Sequence, residues 1–280
     1  MKSGDPMEFM SLLFILALIV GGAVAGSFAG LLGIGGSILL VPLQFYLLTA
    51  IGFPPDIAIK TAIATALFFT LPTSLSSAYS HSKRGNVFWK KSFFMGFFGF
   101  LFSFIGAYIA SYLNAAYLSV IFGIVVLIAS LKVTSGKNSN EDPEKAAGHF
   151  LLYALCGSAM GLVSGLTGIG GGLILVPLLI FWLNVPLRQA IGTSSATIIF
   201  TASGGVVSYI INGIGIAGLP PYSAGYINLV MWAALVIPGV LCSWFSAGNA
   251  YRVNQKHVRI LFSAVTFLVG TGMILKGLLM

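Results

Sequence analysis

Charge is what this sequence has least of. Only 7% of its 280 residues are Asp, Glu, Lys or Arg, against about 25% in a typical water-facing domain. Six residues are acidic, and no apolar segment holds one. That scarcity argues against a carboxylate proton relay, a carboxylate sodium site and an acid-pair enzyme. There is no HExxH, and the two cysteines, Cys156 and Cys242, each fall inside an apolar segment. Neither a disulfide framework nor a metal centre is expected, and no cofactor is called for. The sequence therefore reads as a non-enzyme. The net charge of +8 does not imply nucleic acid. Its basic residues gather at segment ends, as Lys83, Arg84, Lys90 and Lys91, and then Arg252, Lys256 and Arg259.

Apolar length is abundant. Hydrophobic residues make up 58% of the chain, and Phe9–Ala29, Phe93–Leu113 and Leu229–Ala247 are uncharged runs of about 20 residues, enough for a helix to cross the hydrocarbon core. The expected fold class is all-α, a polytopic transmembrane bundle in a lipid bilayer. No small-residue cleavage site follows the first run, so it reads as a retained helix. Trp89, Tyr112, Trp182 and Tyr251 fall near segment boundaries and read as interfacial anchors.

The chain divides at 134–148, where TSGKNSNEDPEKAAG is polar and mixed in charge. The flanking parts, 1–133 and 149–280, resemble each other. Gly26–Leu43 (GSFAGLLGIGGSILLVPL) and Gly161–Leu178 (GLVSGLTGIGGGLILVPL) align without a gap at an offset of 161 − 26 = 135. Further on, Ala58–Thr65 aligns with Ala190–Thr197, and Asn114 with Asn254. Each part divides into five apolar segments, near 9–32, 37–52, 57–80, 92–113 and 115–133, and near 149–167, 172–184, 188–211, 226–250 and 257–279. The loop 81–91 is basic and its counterpart 213–225 is uncharged, whereas 114–115 is uncharged and its counterpart 252–259 is basic. Basic loops face the cytoplasm. The two repeats are thus expected to be inverted, with 81–91, 252–259 and the linker cytoplasmic.

The segment at Gly172–Leu183 is too short to cross a bilayer, and the GIGG sequences precede the second segment of each half. Gly-interrupted segments at matching positions point to a transporter binding site. A helix starting after such a turn presents unpaired N–H groups and partial positive charge, which suit an anion. The candidate ligands are the glycines and first-turn residues Gly33, Gly35, Gly36 and Ser37, and Gly168, Gly170, Gly171 and Gly172. The hydroxyls Thr61, Thr65, Thr193, Ser194, Ser195 and Thr197 could donate to oxyanion oxygens. Gly26, Gly30, Gly161 and Gly165 stand at small-xxx-small spacing, which serves helix packing. Lys60 and Arg188 open the third segments, where snorkelling competes with attraction of the anion. His81 reads as part of the basic loop.

GLLGIGGS…VP, GLTGIGGG…VP, AIGTSSAT and the stretch His81-Ser-Lys-Arg-Gly-Asn-Val-Phe-Trp89 together resemble the sulfite exporter TauE/SafE family, over nearly the whole chain. The resemblance implies a prokaryotic plasma-membrane protein moving sulfite, sulfonates or related anions. It places function on the two Gly turns and on Thr193-Ser194-Ser195. Thr61-Ala62-Ile63 departs from that pattern, and Lys60 stands where the family has Gly. The function expected is secondary transport, with export favoured, by alternating access at a midplane site between the Gly turns. An anion channel and an importer of sulfonate, thiosulfate or another organic anion remain alternatives. The partners expected are a small anion and the bilayer, with homo-oligomerisation left open.

Overall fold

A computed structural model describes residues 12–33, 35–134, 150–183, 185–249 and 255–280. The linker beyond Thr134, the basic residue Arg252, Tyr251 and Asn254 lie outside the described residues, as do the side chains of Lys256 and Arg259. The described chain is almost wholly helical. In order it runs α1 (Leu12–Leu32), α2 (Ser37–Ala50), α3 (Pro55–Ser82), α4 (Trp89–Tyr112) and α5 (Ala115–Thr134), then α6 (Phe150–Thr167), α7 (Gly172–Phe181), α8 (Leu187–Gly213), α9 (Leu229–Asn249) and α10 (Gln255–Leu278). Seven of these helices are long and apolar enough to span a membrane. With no water in the bilayer core, a helix satisfies its own backbone, which is why apolar runs of this length fold this way.

α2 and α7 are the short members, 14 and 10 residues, or about 21 and 15 Å at 1.5 Å per residue. Each starts from a glycine in the left-handed region, Gly36 (φ 73°) and Gly171 (φ 81°), with no side-chain cap. A residue with a Cβ is disfavoured there. At Gly36 a Cβ would also meet the Ala25 carbonyl, and at Gly21 one would meet Leu43. Residue 36 beside 25, with 43 beside 21, means that α2 doubles back along α1.

Packing exchanges partners between the two sequence repeats. α1 packs on α9 and α6 on α4, while α9 also packs on α3 and α4 on α8; α3 meets α8, and α5 meets α10. Glycines make the closest of these approaches. A Cβ at Gly22, Gly26 or Gly30 would strike the backbone of Leu235, Gly239 or Ser243, and one at Gly157, Gly161 or Gly165 that of Met95, Gly99 or Ser103. The first-repeat glycines lie 135 residues before their counterparts (157 − 22), and the surfaces they meet lie 140 apart (235 − 95). Each of the six positions is a place where two helix backbones touch, the packing role that small-xxx-small spacing serves.

The same contacts correct the register of the third segments. The Phe88 amide donates to Thr193 Oγ1 at 3.2 Å, and the Asn228 amide to Thr65 Oγ1 at 3.0 Å. Thr65 therefore corresponds to Thr193, at an offset of 193 − 65 = 128, and Lys60 to Arg188. The expected alignment of Thr61 with Thr193 is one helical turn out. Two features disguise the slip. Ala-Ile-x-Thr occurs twice in succession, at Ala58–Thr61 and Ala62–Thr65. The capping prolines Pro54 and Pro186 also stand at the misleading offset of 132, because α3 has one extra turn after its cap.

The expected segment 226–250 is also modified. A two-stranded hairpin, β1 (Ser223–Ala224) and β2 (Ile227–Asn228), precedes α9. Asn228, fully buried, binds it together: Nδ2 donates to the Pro221 carbonyl and Ser223 Oγ, and Oδ1 accepts from the Met231 amide.

Candidate functional site

The two glycine turns meet inside the protein. A Cβ at Gly35 would stand 2.9 Å from Thr70 Cγ2 and one at Gly170 2.8 Å from the same methyl, so Thr70 on α3 separates the turns. Gly33 abuts Ile191 of α8, and Gly168 abuts Ile63 of α3, the residue 191 − 63 = 128 positions earlier. Two helix starts from different repeats thus converge on one place. Their first N–H groups have no partner within their own helices, and their dipoles present positive ends there.

The candidate hydroxyls fall into two groups. Helical residues three or four apart share a face, whereas those two apart do not. Ser194 and Ser195, three and four after Ile191, face the first turn. Ser194 Oγ donates to the Gly33 carbonyl at 3.2 Å, and Ser195 Oγ donates to the Ile191 carbonyl at 3.0 Å and lies 3.1 Å from Ser77 Oγ. Their counterparts, Ala66 and Leu67, have no hydroxyl. Thr65 and Thr193 lie on another side and accept from the chain entering α9 and α4. Thr197 Oγ1 is spent on the Thr193 carbonyl at 2.9 Å. Thr61, two residues from Ile63, shares neither the contact face nor a hydrogen-bond partner. The structure brings together Gly33, Gly35, Gly36, Ser37, Gly168, Gly170, Gly171, Gly172, Ser194 and Ser195, and sets Thr61, Thr65, Thr193 and Thr197 to the side.

Ser37 is the one hydroxyl among these converging residues that is both fully buried and without a partner. It occupies the first turn of α2, and its Oγ has no partner. A buried hydroxyl without a hydrogen bond is costly in an apolar setting. Thr70, which sequence reasoning missed, donates its hydroxyl to the Ala66 carbonyl at 2.9 Å and offers a methyl to the turns.

Other charged and titratable residues have defined work. His81 is not a loop residue as expected: it lies in α3, 1% exposed, with Nε2 3.4 Å from the Gly30 carbonyl. Its counterpart at 81 + 128 is Tyr209, whose hydroxyl donates to the Gly165 carbonyl at 2.9 Å. Both carbonyls lie in the last turn of their helices, α1 and α6, where intrahelical partners are lost, and each repeat supplies a long side chain to reach its own. Lys60 Nζ donates to the Ser111 carbonyl at 2.7 Å, placing a cation at the C-terminal turn of α4 as the helix dipole favours. Asp56, in the first turn of α3, accepts from the Ala115 amide. In the hairpin loop, burial holds the Tyr226 phenol above its ordinary pKa, with the Asp56 carboxylate adding to the effect. Trp89, Tyr112 and Trp182 are exposed at helix ends.

A bundle of membrane-spanning helices with two short helices meeting at paired Gly turns defines a polytopic membrane transporter. The comparisons agree: the sulfite exporter TauE/SafE family matches residues 18–273, and the chain belongs to that family. Curated relatives include a "Probable membrane transporter protein" of Methanocaldococcus jannaschii, 30% identical over 96% of this chain and 98% of the relative. Another, of Haemophilus influenzae, is 29% identical over 94% and 99%, and one of Bacillus subtilis is 27% identical over 93% and 97%. No solved structure matches the chain significantly. The protein is a multi-pass membrane transporter, not an enzyme.

Proposed function

We propose that the protein carries a small oxyanion of the sulfite or organosulfonate type, held between the starts of α2 and α7. One observation carries this reading: two uncapped helix starts converge on Thr70, and the Ser37 hydroxyl beside them has no partner. Partial positive charge, backbone donors and the Ser37 hydroxyl together suit a compact anion, and Ser194 and Ser195 would add donors by turning from the Gly33 and Ile191 carbonyls that now accept their protons. Burial of the whole set favours a carrier that opens alternately over an open channel. The exchanged packing of the repeats supports their inverted relation and, with the basic loop 81–91, a cytoplasmic position for the end of α3. In a prokaryotic plasma membrane the interior is negative, and moving one negative charge outward gains about 2.3 kcal/mol per 100 mV. With Asp56 the sole acid among the described residues, and outside the site, export suits the chain better than cation-coupled import.

Flux of labelled sulfite and ethanesulfonate in proteoliposomes tests the reading. Saturable outward flux, accelerated by an inside-negative potential, is expected. Flux of either anion no faster than in protein-free vesicles overturns it.

A further inference from the structure

The two repeats differ most along α3 and α8 beyond the Gly turns. Thr70, Ser74, Ser77 and His81 follow one another at steps of four, three and four, which places them on one helix face. Each is at most 2% exposed. Their counterparts, 128 residues on, are Ile198, Ala202, Gly205 and Tyr209. Across from Ser77 stands Ser195, 3.1 Å away; across from Gly205 stand the Leu67 side chain and, beside it, the Ser103 hydroxyl. One repeat thus offers three hydroxyls and an imidazole where the other offers Ile198, Ala202, Gly205 and Tyr209, the last with its hydroxyl already held by the Gly165 carbonyl. The hydroxyl of Ser74 has no partner.

This polar face runs from the turns to a pocket. Ser80 lines a cavity of about 510 Å³ together with Lys83, Arg84, Trp244 and Asn249. Arg84 is fixed there by the Ala247 and Gly248 carbonyls at 2.9 and 2.7 Å, at the end of α9. The Lys83 ammonium lies 4.5 Å from the Tyr79 ring centroid. Polar groups buried at membrane depth cost free energy unless water or solute reaches them, so the Thr70–His81 face, with its unpartnered Ser74 hydroxyl, gains more from hydration than the Ile198–Tyr209 face.

We propose that the Thr70–Ser74–Ser77–His81 face is the route by which an anion and its water pass between the Lys83–Arg84 pocket and the Gly turns. The protein opens more readily along this face than along Ile198–Ala202–Tyr209. The identity of the passenger rests on the function proposed above; the existence of the route does not.

The test is thiol modification by (2-sulfonatoethyl) methanethiosulfonate, an anionic reagent, in full-length protein carrying Cys156→Ala and Cys242→Ala. Ser74→Cys, Ser77→Cys and Ala202→Cys are compared in detergent and in proteoliposomes, after size exclusion has shown each to be folded. Two positions on the polar face allow for the loss of one. Ser74→Cys or Ser77→Cys should react about tenfold faster than Ala202→Cys, as a biased opening requires. Equal rates, or a faster Ala202→Cys, overturn the route. Anion flux by the unmodified protein is measured alongside. Unequal labelling without flux keeps the route and rejects the substrate class; flux with equal labelling does the reverse.

Discussion

Tyr209 and His81 occupy matching positions and do matching work with different chemistry, each serving the carbonyl of a glycine packed against another helix. The Tyr209 bond is the shorter of the two, 2.9 Å against 3.4 Å. Tyr209→Phe removes only the hydroxyl and leaves the Gly165 carbonyl buried without that donor. A loss of about 1–3 kcal/mol is expected, seen as a lower melting temperature of the detergent-purified protein. Removing the Ser37 hydroxyl should act in the opposite way. Ser37→Ala deletes a buried group that satisfies no partner in the resting fold, so thermal stability should hold or rise while anion flux falls. Ligand-free melting together with proteoliposome flux separates those two effects.

At the scale of elements, the glycine seams set the distance between helices. Gly26→Leu or Gly161→Leu would push α1 from α9 or α6 from α4, because a Cβ at either site meets backbone rather than a side chain that can turn aside. Such overpacking costs about 1–3 kcal/mol or more, and aggregation on size exclusion is the expected outcome. Much of this scale was legible in the sequence. The GIGG repeats marked the short helices, and the small-xxx-small spacing marked the packing seams. The register of α3 against α8 was not legible. A one-turn slip in Ala-Ile-x-Thr puts the same residue types on the same face, and only the partners of Thr65 and Thr193 distinguish the alternatives. Asn228 was hidden for a related reason: an Asn in a loop carries no sign of the hairpin it will hold. His81 was misplaced because Lys83 and Arg84, just beyond it, end the apolar run, although the helix continues through Ser82.

For the whole molecule, the proposed function requires the two turns to act as one site. Gly35→Leu and Gly170→Leu each add bulk against Thr70 at a left-handed position, with φ of 85° and 79°. Either change should abolish anion flux, because each intrudes on the same space from opposite repeats. Membrane insertion should persist, since the apolar spans are untouched, and a flux assay scored against the amount of protein in the vesicle membrane checks this. Near-normal flux in both variants would confine the turns to a packing role.

The exchanged pairing has a consequence for the birth of the chain. Gly26 on α1 finds its partner, Gly239, 239 − 26 = 213 residues later, so α1 must wait in the bilayer while most of the protein is still being made. At a ribosomal pace of about 5–20 residues per second, that wait is on the order of ten seconds or more. During it, the glycine face of α1 lies open to lipid or to other newly made helices. A nascent chain halted before α9 should therefore leave a cysteine placed on the glycine face of α1 open to cross-linking with other helices, and one extended past Asn249 should not. The duplication that brings the two Gly turns together also makes their assembly an all-or-nothing event at the close of translation.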